Sequence, residues 1–360
     1  MFVALRDIRA AKGRFALIGS VVGLITLLVV LLSGLTAGLA AESTSAVKNL
    51  PAERIAFGAA GGQEPEESYA DSSVTAHQVD TWSAADGIAW AEPLGITQSR
   101  LEAEDGSSFA ATVFAADPDG RLAPQGTADG ALVIGESLAQ EEGIGEGDVL
   151  TLGGTELTVA AIGREDSYNH TPAVWTSLDT WQSFVPDSGE DTPVGTVVAA
   201  GTDGTADFDT IDTAADTVSA DRDDSLAAIG AFSSENGSLL MIQGFLYAIS
   251  ALVVGAFLTV WTVQRTGDIA ILKALGASTR YLLRDALGQS AVILLAGTAA
   301  GGGLGVALGA LAAGAVPFEL TAATVLVPIA GMAALGMAGA VLAVRGITSV
   351  DPLTALGGVR

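Results

Sequence analysis

TVQRTGDIAILKALGAS, residues 262–278, sets a short charged segment between two long stretches that carry no charge. Gln264 ends the first stretch and Arg265 follows it. The spacing predicts a helix with Thr266 as N-cap, Asp268 in the first turn, Lys273 towards the C-terminus and Gly276 as the closing cap. Ile269, Ala270, Leu272 and Leu275 then form an apolar stripe. A crossing of the hydrocarbon core takes about 20 apolar residues, so this helix is far too short to span. It reads as an amphipathic helix held at the membrane surface, suited to a groove on a soluble partner or to resting on lipid.

The flanking stretches belong to a set of four. No charged residue occurs at 15–41, 236–264, 286–318 or 320–344, windows of 27, 29, 33 and 25 residues. Each is long enough to cross, and the first is longer than the roughly 7–15-residue apolar stretch of a signal peptide, so it is read as retained. Arg6, Arg9, Lys12 and Arg14 precede the first span, Arg265, Lys273, Arg280 and Arg284 lie between the second and third, and Arg345 and Arg360 follow the fourth. The positive-inside rule puts both termini and the 265–285 segment in the cytoplasm. Small residues mark the spans: Gly19 and Gly23, Gly34 and Gly38, and Gly297, Gly301, Gly305 and Gly309 recur at four-residue steps that let helices approach closely, within one bundle or along a dimer seam. No span contains an internal ionisable residue, which argues against a proton or ion path.

The fold class expected is an integral membrane protein with four transmembrane α-helices and a large extracytoplasmic α/β domain between spans 1 and 2. Residues 1–14 form a basic amphipathic cytoplasmic helix, 15–41 the first span, 42–237 the outer domain and 238–264 the second span. Residues 265–285 hold the short helix and the entry to the third span at 286–315; an outer turn at 316–321, the fourth span at 322–344 and a cytoplasmic tail at 345–360 complete the chain. Between residues 41 and 240 lie 36 of the 41 Asp and Glu but only 6 of the 16 Lys and Arg, a net charge of −30 within a chain of −25. In this outer region FAATVF (109–114), ALVIG (131–135), DVLTL (148–152) and ELTVAAIG (156–163) read as strands, and GESLAQEEG (135–143) as a helix closed by Gly143. The run FDTIDTAADTVSADRDDSLAAIG (208–230) reads as a helix, and residues 58–73 as a flexible loop.

Several chemistries are excluded. Lys12, Lys48 and Lys273 are the only lysines, and none lies in a phosphate-cradling Gly-Lys-Ser/Thr motif, so the chain hydrolyses no ATP by that route. His77 and His170, the only histidines, have no metal-ligand spacing, and there is no GxSxG elbow and no EF-hand spacing. No catalytic residue, metal or intrinsic cofactor is expected. A −30 outer domain repels phosphate, so nucleic acid is no partner. With no cysteine, that domain is held together by packing alone.

The run QRTGDIAILKALGAS resembles the cytoplasmic helix of the FtsX/MacB-type (type VII) permeases of ABC transporters, with Asp268 where Glu is usual and Ala270 where Gly is common. LRDIRAAKGRFALIGSVVGL resembles the family's basic entry to span one, ALVIGESLAQEEGIGEGDVLTLGGTELTVAAIG its outer strand-helix-strand, and VDPLTALGGV its C-terminal tail. The resemblance implies a homodimer in the cell membrane, two copies of a separate cytoplasmic ATPase, and ATP used through that subunit. It implies that Asp268, Ile269, Leu272, Lys273, Leu275 and Gly276 couple to the ATPase, with the N-terminal helix and the Asp351-Pro352 tail near it. Motion then passes to the outer domain by mechanotransmission.

Within the family the layout is most similar to the DevC-like and Gram-positive haem-efflux branch, which implies haem as the substrate taken from the membrane. Such a groove needs apolar walls, a cation for the propionates and an iron ligand. Glu53, Arg54, Phe57, Met241, Phe245, Tyr247, Tyr168 and His170 are the residues expected there. The alternatives left open are export of lipoproteins, antimicrobial peptides or macrolides, and an FtsX-like regulator of a cell-wall hydrolase that transports nothing.

Overall fold

A computed structural model describes residues 12–59, 63–185, 192–264, 267, 271–273 and 275–344. They divide into two compact units at 38/39 and 236/237. Helix α1 (Lys12–Lys48) starts the described chain and contributes to both, with Ala46 and Val47 fully buried in the core of the inserted domain.

The inserted domain follows in the order β1 (Arg54–Phe57), α2 (Ala76–Ala84), β2 (Ile88–Ala103), β3 (Ser108–Ala116), β4 (Ala131–Gly135) and α3 (Glu136–Glu142). Next come β5 (Val149–Leu152), β6 (Thr155–Gly163), β7 (Ser167–Tyr168), β8 (Thr171–Ser177) and α4 (Leu178–Gln182). Strand β9 (Val197–Thr202), α5 (Phe208–Ala215), β10 (Val218–Asp221) and α6 (Arg222–Ser225) complete it. Strand β2 is long enough to serve two sheets. Its first half pairs with β9 in the run β10-β1-β9-β2, while its second half pairs with β3 and β5. The ladder β2-β3-β8-β4-β6-β5 therefore returns to β2 and closes, which leaves those strands without an open edge.

Alternation along the strands assigns each face. Ile55, Phe57, Val197 and Ala199 point into one core with Leu94, Phe114 and Trp175; Ala56, Val198 and Ala200 point to the other side, against Trp82 and Ile211 of α2 and α5. Both faces of this sheet are covered, which is why VVAA at 197–200 reads as an unbroken apolar run. Leu101, Val113, Leu132, Leu150, Leu157 and Val174 fill the closed ladder.

The expected strands lie on β3, β4, β5 and β6, and Gly143 ends α3 with φ of 69°. Two expectations are corrected. The stretch 208–230 is not one helix: α5 stops where Asp216 turns left-handed (φ 52°), and Val218–Asp221 becomes strand β10 against β1. Pairing with β1 satisfies the backbone groups of this stretch and buries Ser219 and Ala220, which long-range context favours over the local helical preference. Within 58–73, the described residues are anchored rather than free, because Tyr69 is buried edge-on to Phe57 and its hydroxyl meets Ser225 Oγ at 2.9 Å. Burial holds the Tyr69 phenol protonated, far above its ordinary range.

Helices α7 (Gly230–Gln264), α8 (Thr279–Ala312) and α9 (Ala322–Val344) complete the membrane unit, and with α1 they are, among the described residues, the four helices long and apolar enough to cross a bilayer. Helix α1 runs past the expected limit at 41 and α7 begins before 238. Phe15, Ile18, Val22, Val254, Ile293, Leu294 and Ala340 form the bundle core. The glycine ladder of α8 is used inside this bundle: a β-carbon on Gly301 would meet the Gly23 carbonyl, and one on Gly297 the Gly19 carbonyl at 2.9 Å. Gly34 and Gly38 instead receive the turn at Pro317 and Phe318, whose neighbour Glu319 donates its backbone N–H to Gly34 O at 3.0 Å. The expected N-terminal helix, as far as residue 11, and the Asp351-Pro352 tail lie outside the described residues.

Gly301 and Gly303 provide a paired test, since a β-carbon on Gly303 meets nothing within 4 Å. Gly301→Ala is expected to cost about 1–3 kcal/mol by forcing α1 and α8 apart, and Gly303→Ala to leave the melting temperature of the purified protein unchanged. Equal melting temperatures would refute the close α1–α8 contact.

Candidate functional site

Two places bear on function. The first is the short segment between α7 and α8. Residues 271–273 are helical, and the turn ends as a helix terminus should: Gly276 N–H donates to Lys273 O at 3.0 Å and Ala277 N–H to Leu272 O at 2.9 Å, with Gly276 at φ 95°. This is the Schellman arrangement, which satisfies the last carbonyls and needs the left-handed glycine. Ser278 then caps α8, its hydroxyl accepting from Tyr281 N–H at 3.3 Å. Ile271, Leu272 and Leu275 are 57%, 38% and 79% exposed. Asp268 and Ile269, expected to couple to the ATPase, lie outside the described residues, as does Ala270 of the stripe; Leu272, Lys273, Leu275 and Gly276 lie on the capped turn.

The second place is at His170. Tyr168 and Thr171 pair across a two-residue turn whose Asn169 and His170 both take positive φ, 50° and 60°. Such a turn favours Asn at its first central position and Gly at its second, so His170 occupies the glycine position. Its ring explains the occupant. Nε2 lies 2.9 Å from Glu235 Oε2 and 3.0 Å from Ser43 Oγ, and Nδ1 lies 3.6 Å from Glu42 Oε2. Backbone bonds reinforce the contact: Asn169 N–H donates to Ser43 O at 3.0 Å and His170 N–H to Glu42 O at 3.3 Å. The turn thus clasps the end of α1 to the beginning of α7. Glu42, Ser43 and Glu235 carry no sequence signal for this role, Ser43 being 127 and Glu235 65 residues from the histidine, with Glu42 next to Ser43.

The residues expected at a substrate groove are dispersed. Phe57 is fully buried, and Tyr168 is buried at 6% exposure with its phenol protonated by desolvation. Both stack edge-on with other rings in the domain core, so neither meets a ligand at the surface. Arg54 is occupied by Asp221 at 2.7 Å and by Ser219, and its guanidinium covers the Phe208 ring. Glu53 is exposed, and one of its oxygens accepts from Thr202 N–H at 2.9 Å. Met241 and Phe245, one turn apart on α7, are 63% and 62% exposed, whereas Tyr247 faces Gly331 of α9. Among the described residues no cluster of His, Asp and Glu is arranged to hold a metal ion.

With this geometry in hand, comparison with known proteins is informative. Residues 15–219 match the MacB-like periplasmic core domain and residues 226–352 the FtsX-like permease C-terminal model. A Staphylococcus epidermidis protein that bears the name hemin transport system permease protein HrtB is 25% identical over 99% of both chains. An uncharacterised ABC transporter permease of Mycobacterium tuberculosis is also 25% identical over 99% of both. The periplasmic region of MacB from Actinobacillus actinomycetemcomitans superposes at a TM-score of 0.35 with 12% identity, covering 49% of this chain and 92% of that one.

Substitution at His170 separates its two features. His170→Gly removes the ring contacts and relieves the left-handed strain; His170→Ala removes the contacts and keeps the strain. Both are expected to unfold at lower temperature than the unaltered protein, with the alanine variant about 1 kcal/mol the less stable of the two. A glycine variant as stable as the parent would mean that the ring holds nothing.

Proposed function

The chain belongs to the FtsX/MacB-type ABC transporter permeases, and we propose that it passes force from a separate cytoplasmic ATPase to its extracytoplasmic domain, exporting haem taken from the membrane. The observation that carries this reading is the capped turn at 271–276, where three large apolar side chains stand exposed together on a segment too short to span. Fully burying one such side chain contributes about 1.5–3 kcal/mol, so three against one partner groove make a firm anchor. The rigid end supplied by Gly276 and the Ser278 cap joins that anchor to α8 directly.

In the cycle, two copies of the chain work with two ATPase subunits, with both termini cytoplasmic. ATP binding draws the docked segments together, α7 and α8 move with them, and the inserted domain follows. Reversing a two-state population from 1:99 to 99:1 takes about 5.5 kcal/mol of differential affinity. The His170 clasp gives α1 and α7 a common attachment in the inserted domain, so that the two helices act on it as one.

The full-length match to proteins named for hemin transport supports haem as the substrate. On this chain Met241 and Phe245 offer a thioether and a flat apolar surface on one face of α7. Phe57, Tyr168 and Arg54 are taken up by the fold and are not part of the contact.

The test is a Leu272→Asp, Leu275→Asp double variant expressed with the partner ATPase. Loss of co-purification and of ATP-dependent export is expected, with the permease still in the membrane. Undiminished partner binding would overturn the docking assignment. Separately, a deletion strain is expected to be sensitive to haem and to be rescued by the parent chain but not by Met241→Asp, Phe245→Asp; a strain indifferent to haem would remove the substrate while leaving the permease.

A further inference from the structure

The inserted domain contains a cleft of about 330 Å³ that none of the preceding roles uses. Three loops meet around it: the turn at 49–51 that follows α1, residues 121–124 between β3 and β4, and residues 164–166 between β6 and β7. Leu50, Leu122, Pro124 and Trp175 supply apolar wall. Arg121 and Arg164 are the cations that line it.

Their presence in one place runs against the composition. The region 41–240 has only 6 basic residues among 36 acidic ones. Two of the 6 line this cleft, Arg222 reaches its edge by donating to Leu50 O at 3.1 Å, and Lys48 precedes the lining residue Asn49.

The two lining arginines differ in what they meet. Asp166 is 2% exposed and fully engaged, accepting from Asn49 Nδ2 at 2.7 Å and from Arg164 Nε and Nη2 at 2.8 and 2.7 Å. Arg164 therefore neutralises the buried carboxylate and is held in place by it. Of the carboxylates nearby, Asp223 pairs with Arg222, Glu165 accepts from Ser137 N–H at 2.9 Å, and Glu92 binds the backbone N–H of Arg121 through both oxygens, at 3.0 and 2.9 Å. The Arg121 guanidinium itself forms no ion pair among the described residues; it lies 5.8 Å from the centre of the Trp90 ring, which orients a cation without discharging it. An apolar hollow with one guanidinium lacking an ion pair at its rim matches a ligand with an apolar body and a single negative charge. A guanidinium fork recognises a carboxylate by two parallel hydrogen bonds.

We propose that this cleft is a binding site for a small aromatic monocarboxylate, its ring against Trp175 and Leu122 and its carboxylate on Arg121. The site lies beyond the coupling and haem readings, and its test involves neither ATP nor haem, so either can fail without the other.

The full-length protein in detergent is titrated calorimetrically with indole-3-acetate and with indole-3-acetamide, which keeps the ring and removes the charge. Saturable 1:1 binding of the acid is expected, with the amide weaker by about tenfold or more, the size of one charge-assisted hydrogen bond. Arg121→Gln, at an exposed position, is expected to lower the acid's affinity to that of the amide with no change in melting temperature. The acid–amide comparison is made on the unaltered protein and stands whether or not the variant folds. No saturable binding, equal affinity for acid and amide, or an unchanged affinity in a folded Arg121→Gln would each overturn the assignment.

Discussion

Inside a bilayer a backbone carbonyl has no water to bond with, so each crossing segment is a helix, and neighbouring helices gain little from hiding apolar surface. What remains is contact. In this chain it is obtained by removing side chains where α8 meets α1: a β-carbon on Gly297 or Gly301 would strike the backbone carbonyl of Gly19 or Gly23. Everything else in the membrane unit is arranged around that approach. Val22 sits between the glycines in the bundle core, with Ile293 and Leu294 beside it and Val254 and Ala340 completing the set from α7 and α9. Helix α1 then continues to Lys48, where Ala46 and Val47 become part of the inserted domain's own core. One helix is thus a structural member of two units.

The inserted domain solves a different problem, that of folding with a net charge of −30 and no disulfide. Its acidic residues stay at the surface, capping helices and tight turns, as Asp207 caps α5 and Asp105 and Asp203 accept from backbone N–H groups two residues on. Hydrogen bonding from the side chains of Ser107 and Thr205, and after it from their backbone N–H groups, holds the Asp105 and Asp203 carboxyls below their ordinary range. Asp166 is the informative exception, because its carboxylate is buried and a lone buried charge is costly. Asn49 and Arg164 remove the cost, and in doing so they tie the turn after α1 to the loop before β7.

The spans were legible because charge is so unfavourable in lipid that 25 or more consecutive residues without it mark a crossing. Their ends were not, since α1 and α7 keep helical geometry past the apolar windows, where Glu42 and Glu235 find a partner in His170. The strands β3 to β6 were legible from alternation between Gly and Asp turns, whereas β10 was hidden in an acidic stretch whose local preference is helical. Long-range pairing to β1 decided it. The capped end of the short helix was legible because Lys273, Gly276 and the apolar spacing are local. The groove residues were not: Phe57 and Tyr168 have the chemistry of ligand contacts, yet an aromatic side chain in a strand is drawn first to the core.

The same distinction separates the capped turn from the cleft and the His170 turn. The capped turn at 271–276 is built from local features, the exposed Ile271, Leu272 and Leu275 and a left-handed glycine, all set within about one turn of chain. The cleft depends instead on side chains brought together by topology, Arg121 and Arg164, which come from opposite sides of β4 in the chain. The His170 turn belongs with the second kind. Holding a histidine at φ 60° costs conformational energy that glycine would not, and a fold retains such strain where surrounding contacts fix it. Here those contacts are Glu42, Ser43 and Glu235, the points at which α1 and α7 enter the domain. The strained residue is therefore held by residues of both helices at once.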